Sequence, residues 1–142
     1  MPVGTSEAAE NRVHEATIAT NILESISRRM ASFDQPVFAR SVHVRIGEFR
    51  NVDFESLRFA FDSLKDLNPA CAGCVFVPEL VAAIALCRKQ QHKYHPDPAS
   101  AYRCSECDGG IGILLAGEEL AITDIELEVG TGSEEFEHAR VG

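Results

Sequence analysis

Two cysteine pairs with C-x-x-C spacing, Cys71-Ala-Gly-Cys74 and Cys104-Ser-Glu-Cys107, are the groups in this chain best suited to grip a metal ion. Two thiolates on one tight turn supply half of a tetrahedral zinc site. The second pair suits this role: it lies in a loop-rich stretch and runs into Asp108-Gly109-Gly110, where a tight turn lets backbone amides approach sulfur. The first pair lies where a helix runs into an apolar strand, a position in which cysteine is often simply buried. Sixteen residues separate the fifth cysteine, Cys87, from Cys104, a spacing within the zinc-ribbon range. The residue that would complete its knuckle is Gln90, a poor zinc ligand. His92 and His95 follow, and imidazole replaces thiolate in Cys₃His sites. The expected set is Cys87, Cys104, Cys107 and His92, with His95 as the alternative fourth ligand. Four protein ligands leave no open position, so the chemistry expected there is structural zinc without catalysis. Without a metal, Cys87 reads as a buried strand cysteine.

These donors need elements to position them. Ile18, Ile22, Ile26 and Met30 recur four apart, widened by Ala19 and Leu23, and predict a helix from about Glu15 that stops before Asp34-Gln35-Pro36. A helical start as early as Thr5 or Ser6 is compatible with the same pattern. Ser41–Glu48 alternates, with Val42, Val44 and Ile46 on one face and His43 and Arg45 on the other, as a half-buried strand does. Asp53 is placed to cap a second helix through Leu57, Ala60, Phe61, Leu64 and Leu67, and Phe54, Phe59 and Phe61 read as core packing. Strand segments follow at Val75–Val77 and Leu80–Cys87, interrupted by Pro78, and again at Ile111–Leu115 and Leu120–Val129. In the last of these the apolar phase changes, which predicts a bulge near Thr123-Asp124. The expected fold is α/β: a small mixed sheet with two helices and an inserted zinc-ribbon-like lobe.

Composition narrows the function. The chain has 142 residues, 45% hydrophobic and 25% charged, enough for one domain with a small appendage. Thirteen Lys+Arg against 22 Asp+Glu give a net charge of −9, which excludes a protein that lives on phosphate contacts to nucleic acid. No apolar run approaches the roughly 18 residues of a membrane span. Met1–Arg12 has two glutamates and no apolar stretch, unlike a secretory signal. The expected compartment is the reducing cytoplasm, where five cysteines are better explained by metal than by disulfides. The acid is concentrated: residues 109–142 hold eight acidic residues against Arg140 alone. No phosphate loop, dinucleotide fingerprint or Ser/His/Asp grouping appears, and no enzyme activity is expected.

His14-Glu15 does not open a zinc-protease motif, since position 18 is Ile18 where a second histidine would stand. On pattern alone His14 reads as a surface or capping residue. The chain as a whole, however, resembles the HypA/HybF nickel chaperones of [NiFe]-hydrogenase maturation from about Val13 to Val129. The resemblance is carried by Val13-His14-Glu15 with Ile18-Ala19 and Ile22-Leu23-Glu24, then by Val44-Arg45-Ile46-Gly47-Glu48-Phe49 with Val52-Asp53. Leu57-Arg58-Phe59-Ala60-Phe61, Cys87, Cys104-x-x-Cys107 and Leu115-Ala116-Gly117-Glu118-Glu119-Leu120 complete it in the same order.

The resemblance implies a carrier of nickel as cargo with a structural zinc ion, working beside a HypB-type GTPase and delivering to a hydrogenase large-subunit precursor, with a homodimer admitted. It implies His14 as the nickel ligand and Glu15 as its support. An amino-terminal amine, backbone amides and an imidazole can enclose Ni(II) in a near-planar nitrogen field. Two departures matter. Gln90 stands where the family has a zinc cysteine. Val13 stands where the family has its initiator methionine, so residues 1–12 are expected to be a flexible extension outside the translated chain. The resulting division is 13–84 with 111–129 as the nickel-binding α/β domain, 85–110 as the zinc lobe, and 130–142 as an acidic disordered tail. The competing expectation is a zinc-ribbon interaction adaptor that does not handle nickel.

Overall fold

Two helices and seven strands follow one another in a computed structural model that describes the backbone of residues 3–130 and 136–141 and the side chains of residues 14–130. The chain divides into two compact units, Met1–Val44 with Val52–Pro78 and Ile122–Gly142, and Arg45–Asn51 with Glu79–Ala121.

In the first unit, helix α1 (Val3–Met30) turns the expected stripe inward, with Ile18, Ala19, Ile22 and Ile26 buried. Helix α2 (Phe54–Lys65) starts where Asp53 Oδ1 accepts from the amides of Glu55 and Ser56 at 3.0 and 3.2 Å, so the predicted cap forms. Its buried residues are Leu57 and Phe61, and the Phe61 ring stacks on Phe76 at 5.2 Å. Phe59, expected in the core, is 74% exposed, because at i−2 from Phe61 it lies on the opposite side of the helix. The helices pack with a four-stranded sheet of order β2-β1-β6-β7, from β1 (Val37–Gly47), β2 (Val75–Val81), β6 (Leu120–Gly130) and β7 (Phe136–Val141). Val42, Val44, Ile125 and Leu127 are buried from β1 and β6.

Three expectations change here. Pro78 does not break its strand: β2 runs through it, at the sheet edge where a missing N–H is tolerated, and the break falls at Ala82-Ala83. At the chain ends, α1 already includes residues 3–12, where a flexible extension was expected. Within the acidic tail, β7 pairs antiparallel with β6 from Ile125↔Val141 to Gly130↔Phe136, because the open edge of β6 offers backbone partners that composition does not register. Residues 1–2, 131–135 and 142 of these two end segments lie outside the described residues.

The second unit is a three-stranded sheet of order β4-β3-β5, with β3 (Ile84–Cys87) between β4 (Lys93–Tyr94) and β5 (Ile111–Ala116). The pairs Ala85↔Tyr94 and Ala85↔Leu114 fix the antiparallel register. The unit covers Arg45–Asn51 and Glu79–Ala121, a wider span than the lobe expected at 85–110, and so includes β5 and the end of β1. Gly117 has φ +120° and lies so close to Ala83 that a Cβ would come within 2.8 Å of its Cα, which reserves the position for glycine. Glu48 ties three pieces together, its Oε1 accepting from the Ala83 amide at 2.8 Å and facing His95 Nε2 at 2.8 Å. The Ala83 amide first, and His95 second, hold the Glu48 carboxyl below its ordinary 4.5.

Phe61→Ala should cost about 3–5 kcal/mol of unfolding free energy and Phe59→Ala no more than about 0.5 kcal/mol, read from denaturant melts. A group with a depressed folded pKa stabilises above its unfolded value and loses that contribution as pH falls through the folded one. Between about pH 5 and pH 3 the wild type should therefore lose stability more steeply than Glu48→Gln, read from thermal melts across that range.

Candidate metal centre

Cys87 ends β3, and the chain turns back at Arg88–Gln91 to bring His92 beside it. Gln91 takes a left-handed φ of 57°, and the Cys87 amide donates to the His92 carbonyl at 2.9 Å. The turn aims two amides at one sulfur: Gln90 and His92 N–H donate to Cys87 Sγ at 3.3 and 3.2 Å. Gln90 therefore contributes its backbone to the knuckle although its side chain is no ligand. The second knuckle closes through Asp108 N–H to Cys104 O at 2.9 Å and Cys104 N–H to Gly109 O at 2.8 Å, with Asp108 at φ 61°. A Cβ on Gly109 would sit 3.4 Å from Cys107 Sγ and 3.2 Å from Lys89 Cγ, which explains glycine at this approach.

The two knuckles converge. Donor atoms of Cys87, His92, Cys104 and Cys107 all lie within 4.8 Å of one another. Cys87 Sγ is 3.4 Å from Cys107 Sγ, and His92 Nδ1 is 3.7 Å from Cys87 Sγ and 3.6 Å from Cys104 Sγ. A tetrahedral zinc ion with sulfur at about 2.3 Å and nitrogen at about 2.0–2.1 Å has ligand edges of about 3.6–3.8 Å. The donor set fits the ion in type, number and spacing. His92 is the gathered histidine. His95, the alternative, is held away by Glu48, its Nε2 2.8 and 3.1 Å from the two carboxylate oxygens.

The electrostatics match. Burial alone would raise the Cys87 thiol, but the Gln90 and His92 amides and then the thiols of Cys107 and Cys104 outweigh it and bring it down to about 6. Cys107 moves the other way: burial raises it, and Cys87 and Cys104 add to the rise against the Gly109 amide. One sulfur thus ionises at the expense of its neighbours, and a divalent cation removes that conflict. His92 turns Nε2 to Glu106 Oε2 at 3.3 Å, the carboxylate–histidine arrangement that orients a ligating ring. Sequence reasoning overlooked Glu106, although its place between Cys104 and Cys107 was a usable signal.

Cys71 and Cys74 lie elsewhere, both fully buried after α2. Burial, with Cys71 adding and Lys65 opposing, pushes the Cys74 thiol up to about 12, as expected of inert core cysteines. His14 and Glu15 part company on α1. His14 is exposed, whereas Glu15 is 1% exposed and its Oε2 accepts from the Asp53 amide at 3.1 Å. Glu15 Oε1 is buried with no hydrogen-bond partner among the described residues. His43 is half-buried rather than solvent-exposed. Among the described residues no helix is long and apolar enough to cross a membrane.

The family model for hydrogenase/urease nickel incorporation, metallochaperone HypA, matches residues 13–127. A hydrogenase maturation factor HypA of Desulfosudis oleivorans is 31% identical over 119 residues, covering 82% of this chain and 99% of the relative. A guanidine hydrolase-activating protein A of Synechocystis sp. is 31% identical over 97 residues, covering 66% and 80% of the two chains. The solution structure of the Ni metallochaperone HypA from Helicobacter pylori aligns with a TM-score of 0.54 at 16% identity, over 78% of this chain and 94% of that one, a likeness of fold. With the family's pattern running through both units and the Cys/His cluster formed, this chain belongs to the HypA family of nickel-incorporation metallochaperones.

Proposed function

We propose that this protein binds Ni(II) as cargo at the exposed imidazole of His14 and delivers it in the cytoplasm to a [NiFe]-hydrogenase large-subunit precursor, beside a HypB-type GTPase. A structural zinc ion would be held by Cys87, His92, Cys104 and Cys107. The observation that carries the reading is the match of residues 13–127 to the nickel-incorporation family. The chemistry supports a division of labour. Three sulfurs and one imbedded imidazole, three of the four residues from tight turns, make a closed site whose ion would fix the lobe and leave no position for substrate. His14 offers one solvent-facing nitrogen on a helix, a site from which cargo can leave.

Glu15 supports that end from within, since its carboxylate anchors the Asp53 amide at the start of α2. In the full chain His14 lies inside α1, and its amide is committed to the helix. A planar nitrogen field of amine, amides and imidazole forms only when the chain starts at position 13. The relative named for guanidine hydrolase activation favours a second reading of the recipient, a nickel-dependent hydrolase in place of the hydrogenase precursor.

Calorimetry should give tighter Ni(II) binding to a chain beginning at position 13 (as Met) than to one beginning at Met1, and a loss of at least about tenfold with His14→Ala. Equal uptake by both chains and by their His14→Ala forms overturns the assignment and returns the adaptor reading. For zinc, Cys104→Ala should abolish stoichiometric metal and loosen the second unit while the far-UV signal of α1 and α2 persists. Undiminished zinc content in that variant overturns the ligand set.

A further inference from the structure

Away from the metal centre, one exposed aromatic residue is held in strained backbone. Tyr102 is 43% exposed, yet it follows Ala101 into the left-handed region, with φ 63° after 53°. That conformation is costly for a bulky side chain and persists only where the surroundings over-determine it. Here they do. The Tyr102 amide donates to Asp97 O at 2.8 Å, the Ala101 amide to Pro98 O at 3.0 Å, and the Tyr94 hydroxyl to Tyr102 O at 2.6 Å. The Tyr102 ring stands edge-to-face with Phe49, centroids 5.8 Å apart at 80°. Strain of this kind collects at ligand clamps. Both rings line a cavity of about 500 Å³ in the second unit, with Glu48, Asn51, Pro98 and Ile111 as its other walls. Its one charged lining residue is Glu48, whose carboxyl the Ala83 amide and His95 hold below 4.5, so that it is ionised at neutral pH. Glu48 Oε1 is shared by the Ala83 amide and His95, whereas Oε2 meets His95 alone among the described residues, at 3.1 Å. A carboxylate oxygen so engaged keeps capacity to accept another donor.

We propose that this cavity is a binding site for an arginine side chain of another polypeptide, its guanidinium on the Glu48 carboxylate and beside the Phe49 and Tyr102 rings. Aromatic rings next to a carboxylate attract a cation. Guanidinium suits both surfaces at once, because its plane stacks on rings and its fork of donors matches a carboxylate; a lysine ammonium is a strongly hydrated point charge. The volume favours a side chain carried on a polypeptide over a free ion. A lone guanidinium fills a small part of the space, and Pro98 and Ile111 offer apolar surface to an alkyl stem and its flanking residues. The net charge of −9 draws a basic segment toward the molecule. The site uses none of the four clustered metal donors and neither His14 nor Glu15, so it stands or falls apart from the nickel and zinc assignments.

Proton–nitrogen NMR titration of the full, zinc-loaded chain with the peptide acetyl-Gly-Gly-Arg-Gly-Gly-amide tests this. The Phe49, Asn51 and Tyr102 amides should shift saturably, with a dissociation constant on the order of 1 mM. The same peptide with citrulline for arginine, equal in shape and uncharged, should bind at least about tenfold more weakly, and the lysine peptide about threefold more weakly. Glu48→Gln should weaken the arginine peptide about tenfold and Tyr102→Leu about threefold, while Tyr102→Phe binds as the wild type does. Zinc content checks that each variant keeps its lobe, and the citrulline comparison decides on the wild type alone if one does not. No saturable shift up to about 10 mM arginine peptide overturns the proposal. So does a citrulline peptide that binds as tightly, or a zinc-loaded Glu48→Gln chain with undiminished affinity. Methylguanidinium binding as tightly as the peptide overturns the polypeptide as the source of the cation.

Discussion

Three thiols and an imidazole within 4.8 Å are the constraint around which the second unit is arranged. So many sulfurs cannot all ionise side by side: the Cys87 thiol is drawn down to about 6 while burial and its neighbours raise Cys107. A cation dissolves the conflict, and the surrounding backbone is shaped to present the sulfurs to one. The left-handed residues Gln91 and Asp108, the close approach at Gly109, and the amides of Gln90 and His92 aimed at Cys87 all serve that convergence. Between the knuckles there is little else: a two-residue strand, one turn of 3₁₀ helix, and the edge-to-face contact of Phe49 with Tyr102 at 5.8 Å. In small lobes of this kind a bound metal commonly supplies much of the folding free energy.

The first unit is built on the opposite principle. Its helices and sheet bury a conventional apolar core, with Phe61 on Phe76 at its centre. Among the described residues the polar exception is Glu15, a buried carboxylate with one oxygen on the Asp53 amide and the other without a hydrogen-bond partner there. Leaving a buried polar atom without a partner costs on the order of 1–3 kcal/mol. His14, next to it in sequence, faces solvent. One residue step on a helix therefore separates an exposed nitrogen donor from an internal anchor.

Much of this was readable locally. Asp53 caps α2 because a side chain and amides two and three residues on are always within reach. The stripe Ile18, Ile22, Ile26 is buried because helical periodicity places them together, and Cys104-x-x-Cys107 turns toward one point because its spacing and the following glycines leave it few alternatives. Spacing within the zinc-ribbon range already grouped Cys87 with the distant Cys104-x-x-Cys107, and the family resemblance added the expectation of nickel at His14, which no local pattern contains. The misplaced readings were those in which a local preference met a long-range partner. Phe59 looked like core and faces solvent, Pro78 looked like a break and sits on an edge, and the acidic end pairs as β7 with β6.

The amino-acid sequence by itself determined the donors and their bite, since residue type and short spacing decide which atoms can meet on one turn. It equally determined the helices and their inner faces, which depend on neighbours three and four positions away. Only the tertiary structure decided between His92 and His95, because the deciding group is Glu48, 47 residues upstream of His95. Only it decided that Glu15 points inward, toward an amide 38 residues along the chain. The physical reason is the same in both cases: a hydrogen bond between distant segments forms only after the chain has folded, and no local pattern encodes its partner.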